Sequence, residues 1–202
     1  FTWELEDKMH PDNFVGNTAK WWLEERKATT PFFLQIGFPG PHPPFDPTKE
    51  FLKLYDNVNI PVKVPNDSEL TLQPKMHENL RQNMIDYNID SVAWRKDYNY
   101  EDLLKLHRYY AANVSMIDYQ VGEIINVLKT KGYLDNTIVI FCSDHGEALG
   151  EHGHIQKWTM YDCVTRVPLI FWAPKIIKNN FVCDDLVQLM DIAPTILDFA
   201  NI

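Results

Sequence analysis

The stretch that most limits what this chain can become is a strand-like run closed by a polar turn. Thr137-Ile138-Val139-Ile140-Phe141-Cys142 is apolar and β-branched. It passes directly into Ser143-Asp144-His145-Gly146-Glu147-Ala148-Leu149-Gly150-Glu151-His152-Gly153-His154-Ile155-Gln156-Lys157. An apolar run of that length without polar alternation reads as a buried strand of a parallel sheet, covered on both faces. Polar side chains at its C-terminal tip then lie where open α/β sheets bind ligands. Asp144 and His145 offer one carboxylate and one imidazole, a pair suited to a divalent cation. Gly146, Gly150 and Gly153 mark a tightly turning backbone, and Lys157 returns one positive charge to it.

Two further runs read as strands. Phe32-Phe33-Leu34-Gln35-Ile36-Gly37-Phe38 follows Pro31, and Val167-Pro168-Leu169-Ile170-Phe171-Trp172 lies downstream. Phe181-Val182-Cys183 reads as a short edge strand. The first run stops at Pro39-Gly40-Pro41-His42-Pro43-Pro44-Phe45, where the prolines forbid helix and ladder pairing alike. That stiff loop holds His42 beyond the strand's C-terminal end. Helices are expected from a cap at Asn17 through Lys27, over Thr48–Tyr55, over His77–Trp94 and over a short segment at Trp158–Asp162. The last helix spans Asp191–Ala200, with Pro194 in its first turn. The strongest helix is Tyr100–Thr130, where Leu103, Leu106, Tyr110, Val114, Ile117, Val121, Ile124 and Leu128 recur at steps of three and four and Gly132 stops the pattern. Residues 56–76 read as a long irregular excursion, the kind of loop that walls a functional site. Strands alternating with helices predict one α/β domain over residues 1–202, a mostly parallel sheet flanked by helices.

The turn after Cys142 resembles the second metal-binding motif of the sulfatase family, within the alkaline-phosphatase superfamily. That motif reads Ser/Thr-Asp-His/Asn-Gly-Glu, then a Gly-Glu-His-Gly-like turn and a lysine. Val167–Pro174 resembles the family's next strand, and Asp191-Ile192-Ala193-Pro194-Thr195-Ile196-Leu197 its following helix. The proline loop is similar to the family's His-x-Pro-like loop. The resemblance implies that Asp144 and His145 bind a divalent metal, calcium by preference, with manganese or magnesium as alternatives. It implies that Lys157 bridges the sulfuryl and leaving-group oxygens and that His42 hydrogen-bonds the ester. His154, Gln156 and Trp158 flank Lys157 and are candidates for contact with the substrate's organic part. The implied activity is hydrolysis of a sulfate ester on a small molecule or saccharide.

The resemblance also has gaps. Sulfatases carry a Cys/Ser-x-Pro/Ala-x-Arg motif converted to a formylglycine nucleophile, together with an N-terminal acidic pair of metal ligands. Neither stands in these 202 residues, and Cys163-Val164-Thr165-Arg166 departs from the motif in both spacing and its missing Pro or Ala. The chain therefore resembles the later part of a catalytic domain, whose N-terminal part would supply the nucleophile. Two alternatives stay open: a phosphonate monoester or phosphodiester hydrolase of the same superfamily, and a non-catalytic fragment. A zinc site of His145, His152 and His154 fits no familiar ligand spacing. The net charge of -9, from 19 basic and 28 acidic residues, argues against a nucleic-acid surface. No run is long and apolar enough for a transmembrane helix. The three scattered cysteines form no disulfide framework, and Cys142 reads as a small core residue. Targeting is not readable from the chain, and the family favours a periplasmic or secreted location.

Overall fold

A computed structural model describes residues 2–27, 30–87, 98–178 and 180–202. Helix α1 spans Pro11–Glu25, earlier than the expected start at Asn17. Pro11 sits in the first turn, where its missing N–H is harmless, and the His10 side chain accepts the Asp12 amide as a cap. Helix α2 is Lys49–Lys53, inside the expected Thr48–Tyr55. The excursion at 56–76 contains a helix, α3, Asp67–Leu72, capped by the Asn66 carboxamide. Helix α4 is Lys75–Tyr87, and the rest of the helix expected to Trp94 lies outside the described residues.

Helix α5 is Tyr100–Thr130, as the periodicity predicts. A capping box between Asn99 and Asp102 starts it, and Gly132 follows its end with φ 71°. Helix α1 packs along it. Gly16 makes the contact possible, since a Cβ there would run into the Gln120 side chain, and Gln120 donates to the Asn13 side chain at 2.8 Å. Ala19 and Leu23 meet Ile124 and Leu128, joined by Trp22, Phe32, Leu34, Ile36 and Phe38. A fully buried Leu or Ile at such a seam contributes about 1.5–3 kcal/mol. The buried face of α5 is turned from the expected stripe: Asn113, Met116 and Gln120 are inside and Val114 is exposed.

The parallel sheet is not seen among the described residues. Strand β1, Val139–Cys142, pairs antiparallel with β2, Leu169–Trp172, in the register Val139↔Trp172 to Cys142↔Leu169. Phe141 and its partner Ile170 are exposed, and so is Cys142, which is not a core residue. The segment 32–38 is extended without ladder pairing. Its even-numbered residues pack on the α1–α5 core while Phe33 faces outward, 72% exposed. Residues 181–183 form no strand. Helix α6 is Asp162–Thr165, starting where the expected Trp158–Asp162 segment ends, and α7 is Ile192–Phe199. No helix is long and apolar enough to cross a membrane among the described residues.

Candidate active site

The loop after β1 folds back on itself as a narrow hairpin. The Ala148 amide donates to Gln156 O at 3.1 Å and the Gly150 amide to His154 O at 2.8 Å. Its base is tied to α6, with the Gly146 amide on Val164 O and the Glu147 amide on Cys163 O. Gly146 must be glycine here because a Cβ would collide with Cys163 O. Leu149, His152 and Gln156 all take positive φ, a conformation that costs about 1 kcal/mol or more for a residue with a side chain. What holds the bend is Glu147. Its Oε1 accepts both the Leu149 amide, at 3.2 Å, and the Gln156 amide. Burial raises the Glu147 pKa, opposed by those amides and by nearby His145. From helix α5, His107 Nε2 donates to Leu149 O at 3.0 Å. Tyr110, whose phenol is pushed up by burial and by the Glu147 carboxylate, packs edge-on against Phe45.

Asp144 and His145 stand together at the hairpin's base. Asp144 is 85% exposed at its side chain, and its Oδ2 lies 3.6 Å from His145 Nε2. His145 Nδ1 is 2.8 Å from Gly146 O. A carbonyl only accepts, so Nδ1 carries a proton, and in the neutral ring Nε2 keeps a lone pair on the side of Asp144. One carboxylate and one oriented imidazole thus suit a divalent cation. They make two ligands, and no group of three or more is found among the described residues.

Lys157 leaves the hairpin half-buried, with no ion-pair partner among the described residues. His42 is exposed on the proline loop, and its Nδ1 donates to Pro43 O at 2.8 Å. The two loops share one apolar cluster, in which Phe45 and Ile155 are buried against Leu106, Tyr109, Tyr110 and Leu149. That packing sets the His42 loop beside the hairpin carrying Lys157.

Of the three residues expected to meet the organic part, only Trp158 is open to solvent, at 57%. Its indole donates to Gln156 Oε1 at 2.9 Å. Gln156 and His154 are interior, 4% and 3% exposed. His154 Nε2 accepts from His77 Nδ1 at 3.1 Å and from Arg81 at 3.3 Å. Burial and the charges of Arg81, His77 and His152 lower its pKa to about 4. His152 Nδ1 meets Glu69 Oε1 at 2.6 Å and stacks on Tyr161, with ring centroids 3.9 Å apart. These contacts seat α3 and α4 on the hairpin tip. Beside Trp158 they leave an open surface recess of about 280 Å³, also lined by Met76, His77, Asn79, Leu80 and Asn83. Cys163 is no activated nucleophile: burial and the carboxylates of Glu151, Glu147 and Asp162 raise its pKa.

Sequence reasoning missed Glu147 as the brace of the hairpin. The signal available was a carboxylate set among small and apolar neighbours, Gly146, Ala148, Leu149 and Gly150, a place where it must find donors.

Comparison with known proteins gives a consistent assignment. The family model described as Sulfatase matches residues 2–202. An arylsulfatase of Clostridium perfringens is 32% identical over 203 residues, which cover 99% of this chain and 40% of that protein. The iduronate 2-sulfatase of Homo sapiens is 36% identical over 170 residues, 81% of this chain and 30% of that protein. The chain thus spans well under half the length of these relatives. The solved phosphonate monoester hydrolase of Silicibacter pomeroyi shares the fold, with a TM-score of 0.83 at 23% identity over 98% of this chain and 39% of that one. A divalent metal and a formylglycine are general to the family that the motif resembles, and the match over residues 2–202 establishes that the chain belongs to the sulfatase family.

Proposed function

We propose that this chain forms part of a single α/β catalytic domain that hydrolyses a sulfate ester, with a saccharide as the substrate class. The observation that carries the reading is the Asp144–His145 pair, an imidazole nitrogen held 3.6 Å from a carboxylate oxygen at the base of the hairpin that presents Lys157. Asp144 and His145 would hold a divalent cation, calcium by preference, which supplies Lewis-acid charge beside the sulfuryl oxygens. Lys157 and His42 act as donors where negative charge develops. Over the net hydrolysis an oxygen from water becomes bonded to sulfur as the ester S–O bond breaks, and a proton from water passes to the leaving oxygen, so that sulfate and the alcohol are released. His42 Nδ1 already donates to Pro43 O, so Nε2 can donate to the ester only from the protonated ring. The formylglycine nucleophile and the remaining metal ligands come from the part of the full-length protein outside residues 1–202. That part also covers the exposed apolar residues Phe33, Phe141 and Ile170. The recess beside Trp158 takes the organic part of the ester. The iduronate 2-sulfatase relative is named for a sugar substrate, which supports the saccharide class.

The test uses the full-length protein on an aryl sulfate, a sulfated saccharide and an aryl phosphonate monoester. The sulfates should turn over faster, and preference for the phosphonate would move the assignment to the neighbouring hydrolase class. Lys157→Ala should lower the single-turnover rate by about 100-fold or more, the range for loss of one preorganised donor, without changing metal content. Lys157→Arg should rescue only in part, because a planar fork places charge differently from an ammonium. An unaltered cleavage rate in Lys157→Ala would remove Lys157 from the site.

A further inference from the structure

Outside the hairpin, the most deeply buried ionisable cluster among the described residues lies near the start of the chain. Asp12 is 1% exposed and His10 3%. Asp12 Oδ1 accepts the Gly40 amide at 2.8 Å, across 28 positions of sequence. His10 Nδ1 accepts the Asp12 amide, so in the neutral ring Nε2 carries the proton. That buried Nε2 has no hydrogen-bond partner among the described residues and lies 3.6 Å from Asp46 Oδ1. The Trp3 indole packs edge-on against the His10 ring, and the Trp3 amide donates to Pro47 O at 3.1 Å. Both ends of the proline loop, Gly40 and Asp46–Pro47, are therefore fastened to residues 3–12. Gly40 itself belongs to the turn closed by the His42 amide on Pro39 O. It does not need a positive φ. What excludes a side chain is the Asp12 carboxylate, which a Cβ at Gly40 would strike.

We propose that Asp12, supported by His10, is a positioning residue that fixes the turn carrying His42 and so sets His42 against the sulfate ester. The proposal rests on the active-site role given to His42 above. Asp12 touches no substrate and acts only through the loop. A displacement of about 1 Å at a reacting group is enough to slow a reaction about 100-fold, so the buried bond to Gly40 has kinetic weight.

The test is a double-mutant cycle in the full-length enzyme with an aryl sulfate, reading kcat, together with hydrogen exchange at the Gly40 amide. Asp12→Ala should lower kcat by about 10- to 100-fold and speed Gly40 exchange. Asp12→Asn keeps an acceptor oxygen for Gly40 and should stay within about threefold of the parent. In the His42→Ala background, Asp12→Ala should cause little further loss. If the two losses multiply, Asp12 does not act through His42 and the proposal is overturned. A normal kcat in Asp12→Ala overturns it as well. If His42→Ala alone is harmless while Lys157→Ala is not, the role of His42 fails and the proposal falls with it, a result distinct from the first two. Should Asp12→Ala not fold, Gly40→Ala disturbs the same contact from the loop side and enters the same cycle.

Discussion

Removing the Glu147 carboxylate should unfasten the hairpin that presents Lys157. One oxygen, Oε1, satisfies two amides, those of Leu149 and Gln156. The second belongs to a residue held at φ 67°, immediately before Lys157. A hydrogen bond to a charged acceptor is worth about 1.5–3 kcal/mol, and a buried donor left alone costs about 1–3 kcal/mol. Glu147→Ala should therefore weaken the closed hairpin by about 3–5 kcal/mol, enough for Gln156 to leave its strained conformation. Glu147→Gln keeps one carbonyl oxygen with two lone pairs, so it can accept both amides. It loses charge assistance but also removes the cost of ionising a buried carboxyl, and should stay within about 1–2 kcal/mol of the parent. Glu147→Asp is one methylene too short and should behave like Glu147→Ala. The assay is amide hydrogen exchange at Gln156 in the full-length protein, alongside kcat on an aryl sulfate. Glu147→Ala should lose about two to four orders of magnitude of protection at that amide, and kcat should fall with it. Glu147→Gln as damaging as Glu147→Ala would refute the reasoning, because charge beside His145 would then matter and acceptor geometry would not.

Asp144→Ala should remove the bound metal and nearly all activity, whereas His145→Asn should be milder, since the family motif admits Asn there. Metal content by elemental analysis decides it, and near-normal metal in Asp144→Ala would end the assignment. His154 supplies a pH test. Its folded-state pKa is about 4 against an ordinary value of 6.5, so the unfolded chain binds more protons between those limits. Stability should rise with pH across that window and be lost on acidification, by up to about 3 kcal/mol at about 1.4 kcal/mol per pKa unit. His154→Gln can still accept from Arg81 and should flatten the profile in denaturant unfolding measured from about pH 4 to 7. Equal slopes for the two proteins would show that His154 is not the group responsible.

Legibility followed the range of the interaction. Helix α5 could be read to its ends because a 31-residue apolar period, an Asn99–Asp102 box and Gly132 all act within a few residues of one another. That Asp144 and His145 stand side by side could be read because adjacency in sequence already forces adjacency in space. Asp12 could not be read. Its partner Gly40 is 28 positions away, and a lone Asp after His-Pro has the signature of any helix start. The burial of His154 and Gln156 could not be read for a related reason. Both flank a candidate catalytic lysine, yet the hairpin turns them inward onto Arg81, His77 and Trp158. Proximity to Lys157 in sequence says nothing about which side of a turn a residue faces when φ is positive at Leu149, His152 and Gln156.

The strands show where a correct pattern can yield an incorrect sheet. An unbroken apolar run calls for cover on two faces, and 138–142 makes that demand, while in 32–38 Gln35 and Gly37 leave Phe33 as the one large apolar residue of the second face. The described fold meets it on one face. Phe32, Leu34, Ile36 and Phe38 rest on α1 and α5, while Phe33 points away from them. Phe141 and Ile170, opposite one another across β1 and β2, are likewise left outside. A two-stranded sheet is marginal alone, so its apolar outer face is a cost unless something covers it. The chemistry proposed for the site has the same shortfall, since Asp144 and His145 would make two ligands where a hard cation takes six or more. Among the described residues the outer face of the sheet lacks cover and the proposed metal site lacks further ligands, in a chain that covers 40% of its arylsulfatase relative. Under the function proposed here one missing piece answers both, so adding the rest of the full-length protein should protect Phe33 and Phe141 from solvent as it completes the metal site. Metal binding by the isolated chain at full-length affinity would break that link.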